Sequence, residues 1–191
     1  MKKIFLVTTL LTATFAFSQV AIGKASVSNS SVSLEFGDYV AGEGKGIVVP
    51  WVTSVSAIPA NSQNGTIVFD TSDKLMKYKK QGSWFNLSKN ESGKIGNQTT
   101  NSDTTGVVNT SLQGSSVVEK TDAKVSIGTP TTNAANPGIL VLEDSDKAMV
   151  LPKVPNPHLN IINPEPGLMV YDTVKKQLAI FNGKVWNFWK P

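Results

Sequence analysis

Short apolar runs rich in β-branched and aromatic residues alternate with polar turns along most of the chain. The clearest runs are residues 47–49, 67–69, 150–151 and 168–171. Runs of this kind, bounded by Gly, Pro, Asn and Asp, predict β-strands. No segment after residue 18 has the spacing of an amphipathic helix, and at most a short helical turn is expected, in residues 52–57 or 156–162. The pattern predicts a mainly β fold.

An internal repeat organises the chain. Matching residues recur at a single offset of 102 positions. The matched pairs are Pro50 and Pro152, Gly65 and Gly167, Asp70 and Asp172, Thr71 and Thr173, and Trp84 and Trp186. A common register for proline, glycine, Asp-Thr and tryptophan indicates two copies of one structural unit.

The repeat divides the chain into four parts. We predict a signal peptide at residues 1–18, a first β unit at 19–87, a linker at 88–124 and a second β unit at 125–191. The units are expected to be two related small hairpin or meander units. The linker is rich in Ser, Thr, Asn and Gly, which favours a flexible segment over residues 88–105. Partial order is expected over residues 106–118, where Val-Val pairs recur, and the linker is expected to lie outside both units.

The N-terminal segment has the features of a secretory signal peptide. Lys2 and Lys3 precede an uncharged apolar run that ends at Phe17, and small residues then flank a cleavage position before Gln19. The run is shorter than the roughly 20 residues of a spanning helix. Export is therefore expected, to the cell surface or the medium, with the periplasm as an alternative. Removal of the two lysines lowers the formal net charge from +4 to +2, which is too weak to indicate nucleic-acid binding.

Catalytic and metal-binding chemistry finds little support in the sequence. There is no cysteine and only one histidine, His158, in a proline-rich stretch that predicts a surface loop. The acidic residues 143–146 lack the glycine and the distal glutamate of a calcium loop, and residues 42–46 lack the spacing of a phosphate loop. We expect no cofactor, no metal and no enzymatic activity.

The four tryptophans have two different expected roles. Trp84 and Trp186 share the repeat register, so each is predicted to close the core of its own unit, largely buried. Their expected contacts are Ile67 and Phe69 for Trp84, and Met169 and Tyr171 for Trp186. Trp51 and Trp189 have no aromatic counterpart at the repeat offset. They are the candidates for an exposed contact to a protein or a glycan.

The chain resembles the small secreted surface proteins of Flavobacterium-like Bacteroidota. The resemblance rests on the segment at residues 19–23 (Gln-Val-Ala-Ile-Gly), on the hairpin at residues 164–173 that ends in Tyr-Asp-Thr, and on the closing Asn182-Gly183 with Trp186. Similar hairpin endings occur in phage-tail-fibre-like proteins. The first unit departs from the pattern, since it has no Asn-Gly before Trp84. The resemblance implies export and a β architecture.

Two threonines resemble acceptors of bacterial O-glycosylation. Thr104 and Thr173 each follow an aspartate, as in the Asp-Thr signal of Bacteroidota. Thr104 lies in the polar linker. Asp172-Thr173 also has a structural interpretation, because both residues can bind the backbone of a turn.

These observations predict a non-enzymatic structural or interaction protein. Units of about sixty residues are marginally stable alone, so association is expected to stabilise them. The expected role is a subunit or decoration of a surface assembly, such as a fibre, an adhesin or a secretion or motility complex. The partners would be further copies of the chain, with a trimer implied by the resemblance, or a larger surface protein. The alternatives are a glycan-binding module that uses Trp51 and Trp189 and, with least support, a secreted hydrolase that uses His158.

Overall fold

A computed structural model describes residues 19–88, 106–111, 125–128 and 138–189. Within these ranges the chain is mainly β, as predicted. The strands are β1 (Val20–Ile22), β2 (Val32–Phe36), β3 (Ile47–Val48), β4 (Trp51–Val52), β5 (Ile67–Asp70), β6 (Leu75–Lys80), β7 (Ser83–Asn86), β8 (Val125–Ile127), β9 (Leu140–Leu142), β10 (Ala148–Val150), β11 (Lys153–Val154), β12 (Leu168–Asp172), β13 (Gln177–Phe181) and β14 (Trp186–Trp189).

The two copies have helical structure at equivalent places. A 3-10 turn spans Val55–Ala57, and the short helix α1 spans Pro157–Asn160. Both lie in the two segments where a helical turn was predicted. Pro157 occupies the first turn of α1, where its missing N–H is not needed.

The two copies of the repeat have the same strand order from β4 to β7 and from β11 to β14, whereas their counterparts β3 and β10 pair with different strands. In the first copy, β4 is parallel to β5, which continues into the antiparallel meander β5-β6-β7. In the second copy, β11 is parallel to β12, which continues into the antiparallel meander β12-β13-β14. The 102-residue offset therefore reflects shared architecture as well as sequence similarity.

The prediction of two hairpin units joined by a linker is wrong for the chain as a whole. The chain forms a β-solenoid of about six turns. Parallel pairs join β1 to β2, β10 to β2 and β8 to β9, and a hairpin cannot form such pairs. Two of the pairings also connect the copies, because β3 joins β12 and β10 joins β2. Each copy therefore completes its sheets with a strand of the other.

The repeated aspartates fix the turns that end β5 and β12. The Oδ1 of Asp70 accepts the backbone N–H of Ser72 at 3.0 Å, and the Oδ1 of Asp172 accepts that of Val174 at 2.9 Å. Both carboxylates also accept a backbone N–H from the segment after the preceding parallel strand, that of Val55 at 3.0 Å and that of Asn156 at 3.2 Å. Asp-Thr therefore recurs because an aspartate side chain can satisfy two backbone segments at once.

The predicted packing of Trp84 and Trp186 is wrong. Trp84 pairs across the strands with Lys79, and alternation along β6 places Lys79 on the face of Val68, opposite Phe69. Trp186 packs in the same way against the buried cluster that contains Val170 and Ala179. Both indoles are partly buried, on the face opposite the residues predicted to hold them.

Part of the linker packs into the body of the protein. Gly106 is buried, and a side chain at this position would meet Lys74 of the first copy and the backbone of Asn182 of the second. Val108 packs against the core that the copies share. The expectation that the linker lies outside both copies is wrong for these residues, and residues 112–118 lie outside the described part.

Candidate interaction surface

One face of each meander, here called the front face, carries two rows of side chains. Cross-strand register defines both rows, because paired residues point to the same side of a sheet. The Asp-end row contains Trp51, Phe69 and Met76 in the first copy, and Lys153, Tyr171, Leu178 and Trp189 in the second. The Gly-end row contains Ile67, Tyr78 and Phe85 in the first copy, and Met169, Ile180 and Asn187 in the second.

The front faces of the two copies meet in one hydrophobic core. Phe69 and Met76 of the first copy are fully buried, and Val49 is buried in the same cluster. They pack in a single cluster with Met169 and Ile180 of the second copy. The Asp-end row of the first copy therefore covers the Gly-end row of the second.

Polar contacts support this junction. The indole Nε1 of Trp51 donates to the carbonyl oxygen of Pro166 at 2.9 Å, and the Trp51 ring packs on Phe69 with 6.3 Å between ring centroids. Gly167 has a φ of 77°, and a Cβ there would lie 3.1 Å from the Cβ of Phe69. Glycine is required at this position both by the backbone conformation and by the close approach of the aromatic ring.

The junction is not symmetric between the copies. Gly65 is the counterpart of Gly167, yet a Cβ at Gly65 would meet nothing within 4 Å. Phe69 is 0% exposed, whereas its counterpart Tyr171 is 36% exposed. A two-fold relation would bury both equally, so the contact between the copies is heterologous, with a different patch on each side.

Parts of the two remaining rows are left exposed, although Leu178 and Ile67 of these rows pack against the shared core. In the second copy the Asp-end row exposes Tyr171 and Trp189, the latter 41% exposed. In the first copy the Gly-end row exposes Phe85, whose ring lies 5.7 Å from that of Tyr78. These are the counterparts of the rows that bury one another inside the chain.

The residues singled out in the sequence lie in different surroundings. Trp51 is partly buried at the junction of the copies, and Trp189 is exposed on β14. Thr173 is exposed in the turn after β12, and Thr104 lies outside the described residues. Phe69 was predicted as a core contact of Trp84, and Met76 and Leu178 were not assigned a role. The repeat register together with strand alternation would have placed all three on one face.

The opposite face of the first copy contains a buried ion pair. Lys77 lies 2.8 Å from the Oδ2 of Asp70, and the lysine also contacts Asp73 at 2.5 Å. Burial raises the pKa of Asp70, but the hydrogen bonds from Lys77, from the hydroxyl of Ser72 and from two backbone amides outweigh it, so the pKa lies below its ordinary value. The carboxylate is held in its charged form.

The second copy lacks this lysine. Ala179 stands where the first copy has Lys77, and the buried Oδ2 of Asp172 has no hydrogen-bond partner among the described residues. The tryptophan contact changes in parallel. Lys79 lies 5.9 Å from the centroid of Trp84, whereas its counterpart Phe181 packs on Trp186 with 5.4 Å between the rings. The opposite face is thus partly ionic in the first copy and apolar in the second.

A separate charged cluster anchors β2. The Ser28 hydroxyl donates to Glu35 at 2.5 Å, and the ammonium of Lys24 lies 3.0 Å from the same carboxylate. The Ser28 hydrogen bond, followed by that of Lys24, lowers the pKa of Glu35 to about 2. The cluster fixes the loop between β1 and β2 by charge and hydrogen bonds.

His158 is exposed in α1, and its ring meets that of Phe188 edge-on at 5.9 Å. Among residues 19–88, 106–111, 125–128 and 138–189, no three His, Asp or Glu side chains form a group that could hold a metal ion. In the same ranges, no helix is both long and apolar enough to cross a membrane.

The sequence of the second copy matches the model of a known family. Residues 126–190 match a phage tail-like trimerisation region. The match covers about a third of the chain and spans the copy whose Asp-end row is exposed. It indicates a fibre-like, trimeric structural protein and supports self-association as a trimer. No significant match was found among curated proteins or among solved structures.

Proposed function

We propose that the protein is an exported, non-enzymatic subunit of a trimeric, fibre-like assembly at the cell surface. One observation carries the proposal, namely that the match to a trimerisation region falls on the copy whose Asp-end row exposes Tyr171 and Trp189. Export is supported by the basic start and the apolar run of residues 1–18. The β architecture agrees with a structural role.

Association would stabilise this chain by burying exposed apolar surface. An exposed row that contains Tyr171 and Trp189 leaves large apolar surface in contact with water. Burial of such surface contributes roughly 25 cal/mol per Å², and aromatic side chains dominate the energy of many interfaces. Exposed patches of this kind mark interaction sites. Three chains would therefore gain stability that one chain lacks.

The assembly state is the direct test. The chain from Gln19 onward is measured by native mass spectrometry and by sedimentation velocity over a range of concentrations. Three times the mass of one chain, retained at micromolar concentration, is expected. A stable, monodisperse monomer would overturn the proposed function.

A glycan-binding role is the second candidate, and the exposure of Trp189 on β14 favours it. Sugar rings would stack on the face of the exposed indole, so binding is expected to require the Trp189 ring. Binding on a glycan array that is lost in Trp189→Ala and kept in Val174→Ala would support this role. A blank array, with the fold intact by circular dichroism, would contradict it.

A further inference from the structure

Building on the proposed self-association, we infer that the Asp-end row of the second copy docks on the Gly-end row of the first copy of a neighbouring chain. The exposed members are Tyr171 and Trp189 on one side, and Phe85 beside the partly buried Tyr78 on the other. Leu178 and Ile67 of the same rows flank the core inside the chain. The contact between chains thereby repeats the contact between the copies inside one chain. The occupant of each exposed row is a second molecule of this protein.

The junction inside the chain supplies the template. There, an Asp-end row buries Phe69 and Met76 completely against Met169 and Ile180. The same register positions carry Tyr171 and Leu178 in the second copy, and Ile67 and Tyr78 in the first. Aromatic or aliphatic side chains stand at all four positions, but Leu178 and Ile67 already pack against the shared core, so Tyr171 and Tyr78 are the pair left for docking. At the end of the row, Lys153 stands where the first copy has Trp51.

The space needed for docking is present. Gly167 admits the ring of Phe69 because it has no side chain, with 3.1 Å between a Cβ at Gly167 and the Cβ of Phe69. Gly65 has the same left-handed backbone, with a φ of 88°, but a Cβ there would have no neighbour within 4 Å. The space beside Gly65 on the first copy is therefore free to accept Tyr171 of another chain.

The asymmetry of the junction determines the kind of assembly. A heterologous contact joins molecules head to tail and forms either a closed ring or an open filament. A trimerisation region calls for closure after three chains. Each chain contributes two copies, so a closed trimer would contain six copies joined by two alternating kinds of contact, one within and one between chains.

Cysteine cross-linking tests this arrangement directly, because the full chain contains no cysteine. In the intrachain template the two Cβ positions are 3.1 Å apart, close to the roughly 3.5–4.5 Å of a disulfide. The full chain carrying both Gly65→Cys and Tyr171→Cys is oxidised and separated by size under denaturing conditions. We expect a ladder that ends at three chains. Each single-cysteine variant should stop at the monomer or at a minor two-chain species.

A charge variant provides an independent measure that does not rely on the strained position of Gly65. Tyr171→Glu places a carboxylate in the docking row and should abolish the trimer at concentrations where the unmodified chain is trimeric. Leu159→Glu is the matched control, since Leu159 is a 71% exposed apolar residue outside both rows. The control should remain trimeric, and both variants should keep their circular dichroism spectra.

The outcomes separate this inference from the proposed function. A trimer that survives Tyr171→Glu and gives no ladder would overturn the inference and leave trimerisation intact. Cross-linking confined to single chains, or a ladder that continues past three chains, would also overturn it. A monomeric unmodified chain would overturn the proposed function together with the inference.

Discussion

Truncation of Phe69 to alanine is the sharpest perturbation of the shared core. Phe69 is 0% exposed and packs with residues of both copies, including Met76 and Ile180. Its removal leaves a cavity in the cluster shared by the two copies, and such sites relax only in part. The lost burial and the cavity act in the same direction.

The expected cost is about 3–5 kcal/mol, the usual range for a fully buried phenylalanine. Total unfolding free energies of proteins are about 5–15 kcal/mol, so this single change removes a large part of the stability. Val174 provides the matched control. Its side chain is 52% exposed in a turn, and Val174→Ala should change the unfolding free energy by less than about 0.5 kcal/mol.

Urea unfolding at one fixed protein concentration, followed by tryptophan fluorescence and circular dichroism, measures both changes. The tryptophans of both copies should respond in one transition, because the core joins the copies. A loss below about 1 kcal/mol for Phe69→Ala would refute the shared core. So would a separate, unchanged transition for the second copy.

Three further predictions follow from the described contacts. Lys77→Met should cost about 3 kcal/mol of unfolding free energy at neutral pH, because the buried Asp70 carboxylate loses its lysine partner. Because the pKa of Asp70 is lowered, the difference from the unmodified chain should be largest above about pH 4 and should shrink at lower pH. A pH-independent difference in urea unfolding would contradict this prediction. Glu35 should titrate near pH 2 in carbonyl-detected NMR, so its cluster contributes stability above about pH 4.5 that is lost as the pH falls towards 2, and a midpoint near 4.5 would contradict the contacts with Ser28 and Lys24. Gly167→Ala should cost clearly more than Gly82→Ala, since both have positive φ but only the first meets Phe69; equal losses in thermal unfolding would contradict the close approach.

The repeat in the sequence predicted the local architecture well. Proline, glycine, Asp-Thr and tryptophan at one offset correspond to strands and turns in the same order in both copies. The helical turns also occur where they were expected. Such features are determined by a few neighbouring residues, and a single sequence therefore contains enough information to locate them.

The assignment of the tryptophans failed for a local reason. Trp84 was predicted to pack near Phe69 because both residues belong to the same repeat unit. Its cross-strand partner is Lys79. Strand alternation then puts it on the opposite face from Phe69. The register of the β6-β7 hairpin was the missing information, and the two-residue turn at Gln81 and Gly82 would have supplied it.

The shared core could not be predicted from the repeat alone. Phe69 and Tyr171 occupy equivalent positions and look interchangeable in the sequence, but one is buried and the other is exposed. The difference arises from long-range packing between the copies and from the pairing of β3 with β12. Equivalent residues in a repeat need not share an environment when the copies associate heterologously.

Native mass spectrometry of the purified chain across a dilution series tests the central claim most directly, because it counts the chains in the assembly. Three chains per particle, persisting on dilution until they separate to monomers without a stable intermediate of two, is the predicted result. A particle of one chain at every concentration would contradict a trimeric, fibre-like structural protein.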